Sequence, residues 1–241
     1  LAASGGYLLN DARDAAADRL HPTKRTRPVA AGQLPVAVAM TVGGALLLGA
    51  LVVAALLDVA LCRALAAYAA VTLAYSLLLR RVAGLDVLAV AAGFALRAIA
   101  GAVAIAVPVS AWIVVCTALG TAYVVLVKRS QERALLHEDA WAHRPAQVAY
   151  GERGAQQLAR VMALVTVAAY AAYTLSAPNL PANHAMVVTV PLVAFGLWRY
   201  GVAAHRAPDR NADELLARDR PLLLTIAAFA ITAFVVLTFA R

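Results

Sequence analysis

The sequence predicts an all-α membrane protein built as a polytopic transmembrane helix bundle. Hydrophobic residues make up 63% of its 241 residues and charged residues only 14%, whereas soluble domains contain about 45–50% and about 25%. Mean hydropathy is +0.77. Apolar stretches of about 20 residues, the length that crosses a bilayer, recur along the chain. These observations exclude a water-soluble protein with one buried core.

Seven full transmembrane spans are predicted after an opening half-helix. Pro35 fits the start of a helix, and Pro108 and Pro178 fall in short connections. The first residues resemble the second half of a helix, so we expect one further span upstream and a single transmembrane domain over 1–241 that lacks its N-terminal span. The predicted spans lie near 36–57, 62–79, 86–106, 111–127, 157–176, 184–200 and 222–240.

Lys and Arg are concentrated in alternate loops. The loops at 13–33, 80–85, 128–156 and 201–221, with Arg199 at the edge of the last, hold 5, 2, 5 and 5 of them, 17 of the chain's 21. The opposite loops near 58–62, 107–110 and 177–183 hold none. Because cytoplasmic loops carry this excess, the first set is predicted to face the cytoplasm from the cell membrane. The same bias explains the net charge of +8, and no zinc-finger spacing or aromatic–basic surface indicates nucleic acid.

An Asn and three Asp follow the opening apolar stretch at helical spacing. Asn10, Asp14 and Asp18 are spaced i, i+4 and i+8 and share one helix face, with Asp11 beside it. Three carboxylates this close repel one another unless a cation lies among them. Mg²⁺ is bound in proteins through one or two carboxylates together with substrate phosphates. The pattern therefore predicts a Mg²⁺ site at Asp11, Asp14 and Asp18, and a solvated helix end is the simpler alternative.

A basic loop bounded by prolines comes next and places Lys24, Arg25 and Arg27 close to the carboxylates. These cations can bind phosphate oxygens of the same ligand. An acidic helix end followed at once by such a loop favours an enzyme that acts on a phosphorylated substrate.

The run from Tyr7 to Gly32 resembles the first aspartate-rich motif of the UbiA superfamily of intramembrane prenyltransferases. Within the superfamily it is most similar to the decaprenyl-phosphate phosphoribosyltransferase branch. Two later segments, Leu85–Gly101 and Lys128–Pro145, resemble the same branch. The resemblance implies a UbiA-type bundle of about nine spans in the full protein.

The resemblance also implies a reaction. The enzyme would transfer 5-phosphoribose from phosphoribosyl pyrophosphate to a polyprenyl (decaprenyl) phosphate and release pyrophosphate, in the pathway to the arabinose donor for the cell wall. Mg²⁺ would be the cofactor, the lipid bilayer the environment, and a homo-oligomer is possible. The polyprenyl length, the oligomeric state and the carboxylates that bind the metal stay open.

Ordinary members of the superfamily carry a second D-x-x-x-D motif, whereas this chain has Lys128-Arg129-Ser130-Gln131-Glu132 in that region. This departure favours a donor with a further phosphate over a prenyl diphosphate. A conventional prenyltransferase with an aromatic acceptor is the alternative enzyme. A transporter is the non-enzyme alternative, but no inverted repeat supports it.

Asp11, Asp14 and Asp18 are the predicted catalytic residues. Arg80 follows a span end, where it could be a topology anchor or a phosphate contact. Arg97 lies in the middle of a span, where a charge is costly and usually functional, so we expect it to face the bundle interior and to pair with an acid or a phosphate. The predicted substrate-binding residues are Asn10, Lys24, Arg27, Arg80, Arg97, Lys128 and Arg129.

Overall fold

The structure, a computed structural model, describes residues 1–20, 24–136, 152–208 and 210–239, and describes only the backbone of residues 133–136, 152 and 153. Over these ranges the chain forms helices and no strand. Short 3₁₀ turns lie at Lys24–Thr26, Leu79–Arg81 and Ala185–Thr189. The α-helices are α1 Ala2–Leu20, α2 Val36–Leu57, α3 Val59–Leu77, α4 Leu85–Ala104, α5 Ala111–Leu136, α6 Glu152–Ser176, α7 Val190–Arg206, α8 Ala212–Arg218 and α9 Arg220–Phe239.

Seven helical segments among the described residues are long and apolar enough to cross a membrane, which confirms the seven predicted spans to within a few residues at most of their ends. Large apolar side chains such as Leu56, Leu164 and Leu224 are more than two-thirds exposed, as expected where lipid takes the place of a core. The protein is therefore a multi-pass membrane protein. These segments are Val36–Leu57, Val59–Leu77, Leu85–Ala104, Ala111–Glu132, Gly154–Ser176, Ala185–Arg206 and Arg220–Phe239.

Local sequence explains several helix ends. Pro35 occupies the N-cap of α2 as predicted, because its fixed φ suits a helix start. Asp58 separates α2 from α3, and its carboxylate accepts a hydrogen bond from the Leu61 amide at 2.8 Å. The predicted loop at 128–156 begins later than expected, because α5 continues to Leu136. Lys, Arg, Gln and Glu are good helix formers, so the helix extends past its apolar part.

The first of two compact units comprises Leu1–Val109. In it α1 packs against α2 and α3, and α3 packs against α4. At the α1–α2 crossing a Cβ atom on Gly5 would lie 2.7 Å from the Gly43 carbonyl oxygen, and one on Gly43 would lie 3.0 Å from the Gly5 oxygen. The two backbones are therefore in direct contact, as small residues allow in membrane helices.

The second unit contains the described residues from Ser110 onward. In it α5 packs on α6, α6 on α7, and α7 on α9. Hydrogen bonds from buried side chains join α5 to α7. The Gln131 side chain donates to the Ala204 carbonyl at 2.9 Å, and the Tyr123 hydroxyl donates to the Leu197 carbonyl at 2.6 Å. The single domain expected over 1–241 stays a prediction.

Candidate active site

The acidic cluster, which we define as Asp11, Asp14 and Asp18, lies on the C-terminal half of α1, as the spacing predicted. Asp14 and Asp18 are buried, with 9% and 6% of their surface exposed. Buried carboxylates need hydrogen-bonding or cationic partners, because an isolated buried charge is very costly. The partners come from the basic loop and from the turn that follows α3.

Arg27 bridges two members of the acidic cluster. Its Nη1 donates to Asp11 Oδ1 at 2.8 Å and to Asp18 Oδ2 at 2.9 Å. Asp11 and Asp18 are seven residues apart, two helical turns, so one guanidinium group can reach both. Arg27 thus acts as a counterion inside the first unit.

Arg80 is the partner of the third carboxylate. Its Nη1 lies 2.5 Å from Asp14 Oδ1, and both side chains are largely shielded from solvent. One turn of α1 earlier, the Asn10 amide oxygen accepts a hydrogen bond from the Ser76 hydroxyl at 3.1 Å. The turn that contains Arg80 therefore lies directly beside the first motif. The sequence did not single out Ser76, since an isolated Ser near a helix end carries no distinctive signal.

The basic loop is held against α1 by its own packing. Val29, which is 2% exposed, packs with Ala12 and Ala15 of α1. The Arg19 guanidinium donates to the Ala30 carbonyl at 3.2 Å. In the 3₁₀ turn the Arg27 amide donates to the Lys24 carbonyl at 3.0 Å. These contacts aim Arg27 at the carboxylates and keep Lys24 in the same short turn.

The environment of Asp11 makes its carboxyl group harder to ionise. Burial raises the pKa of Asp11 above its ordinary value, and the neighbouring charges of Asp18 and Asp14 raise it further. The Arg27 guanidinium opposes this rise but does not cancel it. Because two carboxylates act against Asp11 and only one arginine supports it, an additional cation would stabilise the ionised form.

The donor set of the cluster suits Mg²⁺, because it offers carboxylate and amide oxygens on one helix face. Among the described residues, however, no group of three His, Cys, Asp or Glu converges in the way a protein-only metal site requires. The carboxylates instead point toward Arg27 and Arg80. The arrangement therefore fits a metal held by one or two carboxylates and completed by ligand phosphates.

Arg97 lies on α4 away from the acidic cluster. It is exposed, its Nη1 is 3.4 Å from the Tyr7 hydroxyl, and its guanidinium lies 5.1 Å from the centre of the Phe94 ring. The expected acid partner does not occur within the described ranges. Contact with a phosphate stays a prediction for this residue.

Lys128 and Arg129 belong to the second unit. Arg129 is buried and pairs with Glu132 at 2.9 Å, one helical turn along α5. Lys128 donates to the Asn211 side chain at 3.4 Å. Arg129 is thus already neutralised by a neighbour, which the sequence did not predict. Binding of the donor by either residue stays a prediction.

The last predicted cytoplasmic loop, at 201–221, contains regular structure. The short helix α8 lies within it, and Asp219 accepts hydrogen bonds from Arg199 at 2.9 and 2.8 Å. Asp219 also caps α9 by accepting from the Leu222 amide at 3.0 Å. The motif positions 21–23 and 137–145 lie outside the described residues.

The model of the UbiA prenyltransferase family matches residues 1–229. The chain belongs to this family. The members of this family are prenyltransferases and related transferases, so the chain is a membrane-spanning transferase.

Relatives and solved structures agree with the family. A protein named decaprenyl-phosphate phosphoribosyltransferase from Mycobacterium tuberculosis is 32% identical over 232 residues, which cover 96% of this chain and 76% of that protein. The protein of the same name from Mycolicibacterium smegmatis is 58% identical over 52 residues, which cover 22% of this chain and 16% of that protein. A UbiA homologue from Archaeoglobus fulgidus, solved with GPP and Mg²⁺ bound, superposes with a TM-score of 0.72 at 18% identity, over 97% of this chain and 83% of that one. The predicted all-α bundle of UbiA type is confirmed.

Proposed function

We propose that the protein transfers 5-phosphoribose from phosphoribosyl pyrophosphate to a polyprenyl phosphate, with release of pyrophosphate. The observation that carries the proposal is the similarity, over nearly the whole chain, to relatives named decaprenyl-phosphate phosphoribosyltransferase. The acidic cluster with its basic loop supports it, because the donor carries both a diphosphate and a 5-phosphate.

In this proposal the chain's own residues position the donor. One or two of the carboxylates of Asp11, Asp14 and Asp18 would hold Mg²⁺, which would supply charge stabilisation to the departing pyrophosphate. Asn10, fixed by Ser76, orients a ligand at the same face. Lys24, Arg27 and Arg80 bind phosphate oxygens, and Arg27 and Arg80 give up part of their pairing with the carboxylates when they do so.

The acceptor needs little activation. A polyprenyl phosphate is already anionic at neutral pH, so its oxygen can attack C1 of the ribose without a strong general base. The bond from C1 to the pyrophosphate oxygen breaks as the bond to the acceptor oxygen forms, through an oxocarbenium-like state. The charge asymmetry of the loops supports a cytoplasmic location of the acidic cluster, where soluble phosphorylated donors occur.

A competition between donors tests the proposal. Membranes that contain the protein are incubated with polyprenyl phosphate and Mg²⁺, and either labelled phosphoribosyl pyrophosphate or labelled geranylgeranyl diphosphate with an aromatic acceptor. We expect labelled phosphoribosyl lipid to form from phosphoribosyl pyrophosphate, and no labelled prenylated aromatic product to form from geranylgeranyl diphosphate. An Asp14→Asn protein measured in parallel separates this transfer from background.

Transfer of the prenyl group to the aromatic acceptor, with none from phosphoribosyl pyrophosphate, would instead establish a conventional UbiA prenyltransferase. That alternative is favoured by the solved homologues, which were determined with GPP or DMAPP and Mg²⁺ bound.

A further inference from the structure

A cavity of about 760 Å³ lies within the second unit and is lined by α5, α6 and α7. Its volume falls in the range of pockets that bind small molecules, about 300–1,000 Å³. None of the residues assigned to the proposed reaction lines it.

One end of the cavity is polar and cationic. Successive antiparallel packing of α5, α6 and α7 brings the end of α5, the start of α6 and the end of α7 to the same side of the unit. Two arginines and a histidine meet there with two neutral polar groups. The residues are Ser130, Gln156, Arg160, His205 and Arg206.

The rest of the cavity is apolar and runs along the spans. Val167 lies seven residues beyond Arg160 on α6, and Trp198 lies eight before Arg206 on α7, distances of about 10–12 Å along a helix. Gly201 lets Tyr123 approach α7 closely at this wall, because a Cβ there would lie 2.8 Å from the Tyr123 hydroxyl. The apolar lining includes Leu164, Val167, Ala194, Leu197 and Trp198.

The polar end has cationic charge available for a ligand. The described residues form no ion pair or hydrogen bond with the Arg160 side chain, which is exposed. Arg206 lies near enough to Asp219 to help lower the pKa of that carboxyl, but both Asp219 oxygens accept hydrogen bonds from Arg199. No carboxylate appears among the described residues that line the cavity. The cavity therefore has the charge to bind an anion and lacks the oxygen ligands that phosphoribosyl transfer would require.

We propose that this cavity binds an anionic membrane phospholipid, with the headgroup phosphate at Arg160 and Arg206 and an acyl chain along Leu164, Leu197 and Trp198. The match is one of charge and polarity: two cations at the loop end, and an apolar channel that enters the membrane-spanning segments. The lipid is a bound structural component and takes no part in the transfer.

Trp198 provides the test, because it lines the apolar part of the cavity. A parent variant with Trp112→Phe and Trp141→Phe keeps Trp198 as the chain's single tryptophan. It is reconstituted into phosphatidylcholine bilayers that contain the same small fraction of bromine-labelled phosphatidylglycerol or bromine-labelled phosphatidylcholine. We expect quenching of Trp198 to report about fivefold stronger association of the anionic lipid. Arg160→Gln and Arg206→Gln should each remove most of this preference.

Arg218→Gln is the matched control, because Arg218 is exposed on α8 and does not line the cavity. This variant should keep the full preference. Equal quenching by the two lipids in the parent, or an equal loss in Arg218→Gln, would overturn the proposal. Displacement of the labelled phosphatidylglycerol by polyprenyl phosphate but not by unlabelled phosphatidylglycerol would also overturn it, in favour of an acceptor site. The measurement needs no turnover, so its outcome is independent of the proposed reaction.

Discussion

Both units contain carboxylates that pair with arginines, but the number of carboxylates per arginine differs between them. In the first unit, Asp11, Asp14 and Asp18 share the guanidinium groups of Arg27 and Arg80. In the second unit, Glu132 is paired with Arg129. Asp219 is likewise paired with Arg199, through two hydrogen bonds.

The ratio of carboxylates to arginines indicates different roles for the ion pairs of the two units. A balanced pair needs no further partner, so its energetic effect is confined to folding and helix ends. A cluster with one more carboxylate than arginine has a deficit of positive charge that a divalent cation can fill. The comparison therefore predicts effects on activity from the first unit and effects on stability from the second.

The largest effect is expected from Asp14→Asn, which removes a carboxylate but keeps its size. We expect transfer to fall about 10²- to 10³-fold, the usual loss when one main electrostatic stabiliser is removed. Initial rates of label transfer at saturating Mg²⁺ measure the loss, and chelation by EDTA should abolish transfer by the unmodified protein. The exposed Asp213→Asn serves as control. A near-normal Asp14→Asn enzyme would remove the acidic cluster from the mechanism.

Arg129→Met should instead lower the free energy of unfolding by about 3 kcal/mol, because it removes the guanidinium that pairs with the buried Glu132 carboxylate. For a chain of this size that corresponds to a fall in Tm of about 6–12 °C in detergent. The double variant Arg129→Met with Glu132→Met should recover most of the loss, since both charges of this pair are then replaced by apolar side chains. A stable Arg129→Met protein whose KM for the donor is strongly raised would show that Arg129 binds substrate instead.

Arg27→Gln should have a smaller effect, and it should strengthen metal binding, whereas the two variants above cause losses. Arg27 occupies the carboxylate oxygens that a metal would bind, and the pair is only partly shielded from solvent. We expect Mn²⁺, used as a spectroscopic substitute, to bind the donor-free protein about two- to fivefold more tightly at neutral pH. Arg25→Gln is the control, because Arg25 is exposed in the same turn. Weaker Mn²⁺ binding would mean that Arg27 orients the carboxylates rather than competing for them.

The smallest effect concerns Asp219 and depends on pH. Hydrogen bonds from Arg199 are the main cause that lowers the pKa of Asp219 below its ordinary value. The resulting stabilisation is present above the unfolded pKa of about 3.9 and is lost as pH falls through the folded value. The difference in Tm between the unmodified protein and Asp219→Asn should therefore shrink below about pH 4. A difference that stays constant down to acidic pH would show that the cap on α9, rather than the charge, is what matters.

The fold was largely predictable because hydropathy alone determines which segments cross a membrane. The position of the acidic cluster was also predictable, since Asn10, Asp11, Asp14 and Asp18 share one helix and its periodicity is fixed. Arg27 follows the cluster by a few residues, so its proximity could be expected as well. Arg80 was only a possible contact, because its distance from Asp14 depends on how α1 and α3 pack.

Other partners depend on packing that periodicity does not encode. Ser76 is 66 residues from Asn10, and no local pattern links them. Arg129 was predicted to bind the donor, and in the structure it pairs with Glu132 one turn away. The exposure of Arg97 could not be read from its depth in a span, because depth does not tell which side of a helix faces lipid.

The position of the acidic cluster depends on the lack of a side chain at Gly5 and Gly43. A methyl group on Gly5 would lie 2.7 Å from the Gly43 carbonyl oxygen, so α1 would have to move away from α2 by about 0.7 Å to restore ordinary van der Waals contact. Asp11 and Asp14 are on the same rigid helix and would move with it. Displacements approaching 1 Å at reacting groups can cost about 10²-fold in rate. Under the proposed function, the alignment of the acidic cluster with its substrate therefore depends on a backbone crossing near the start of α1, away from the cluster itself.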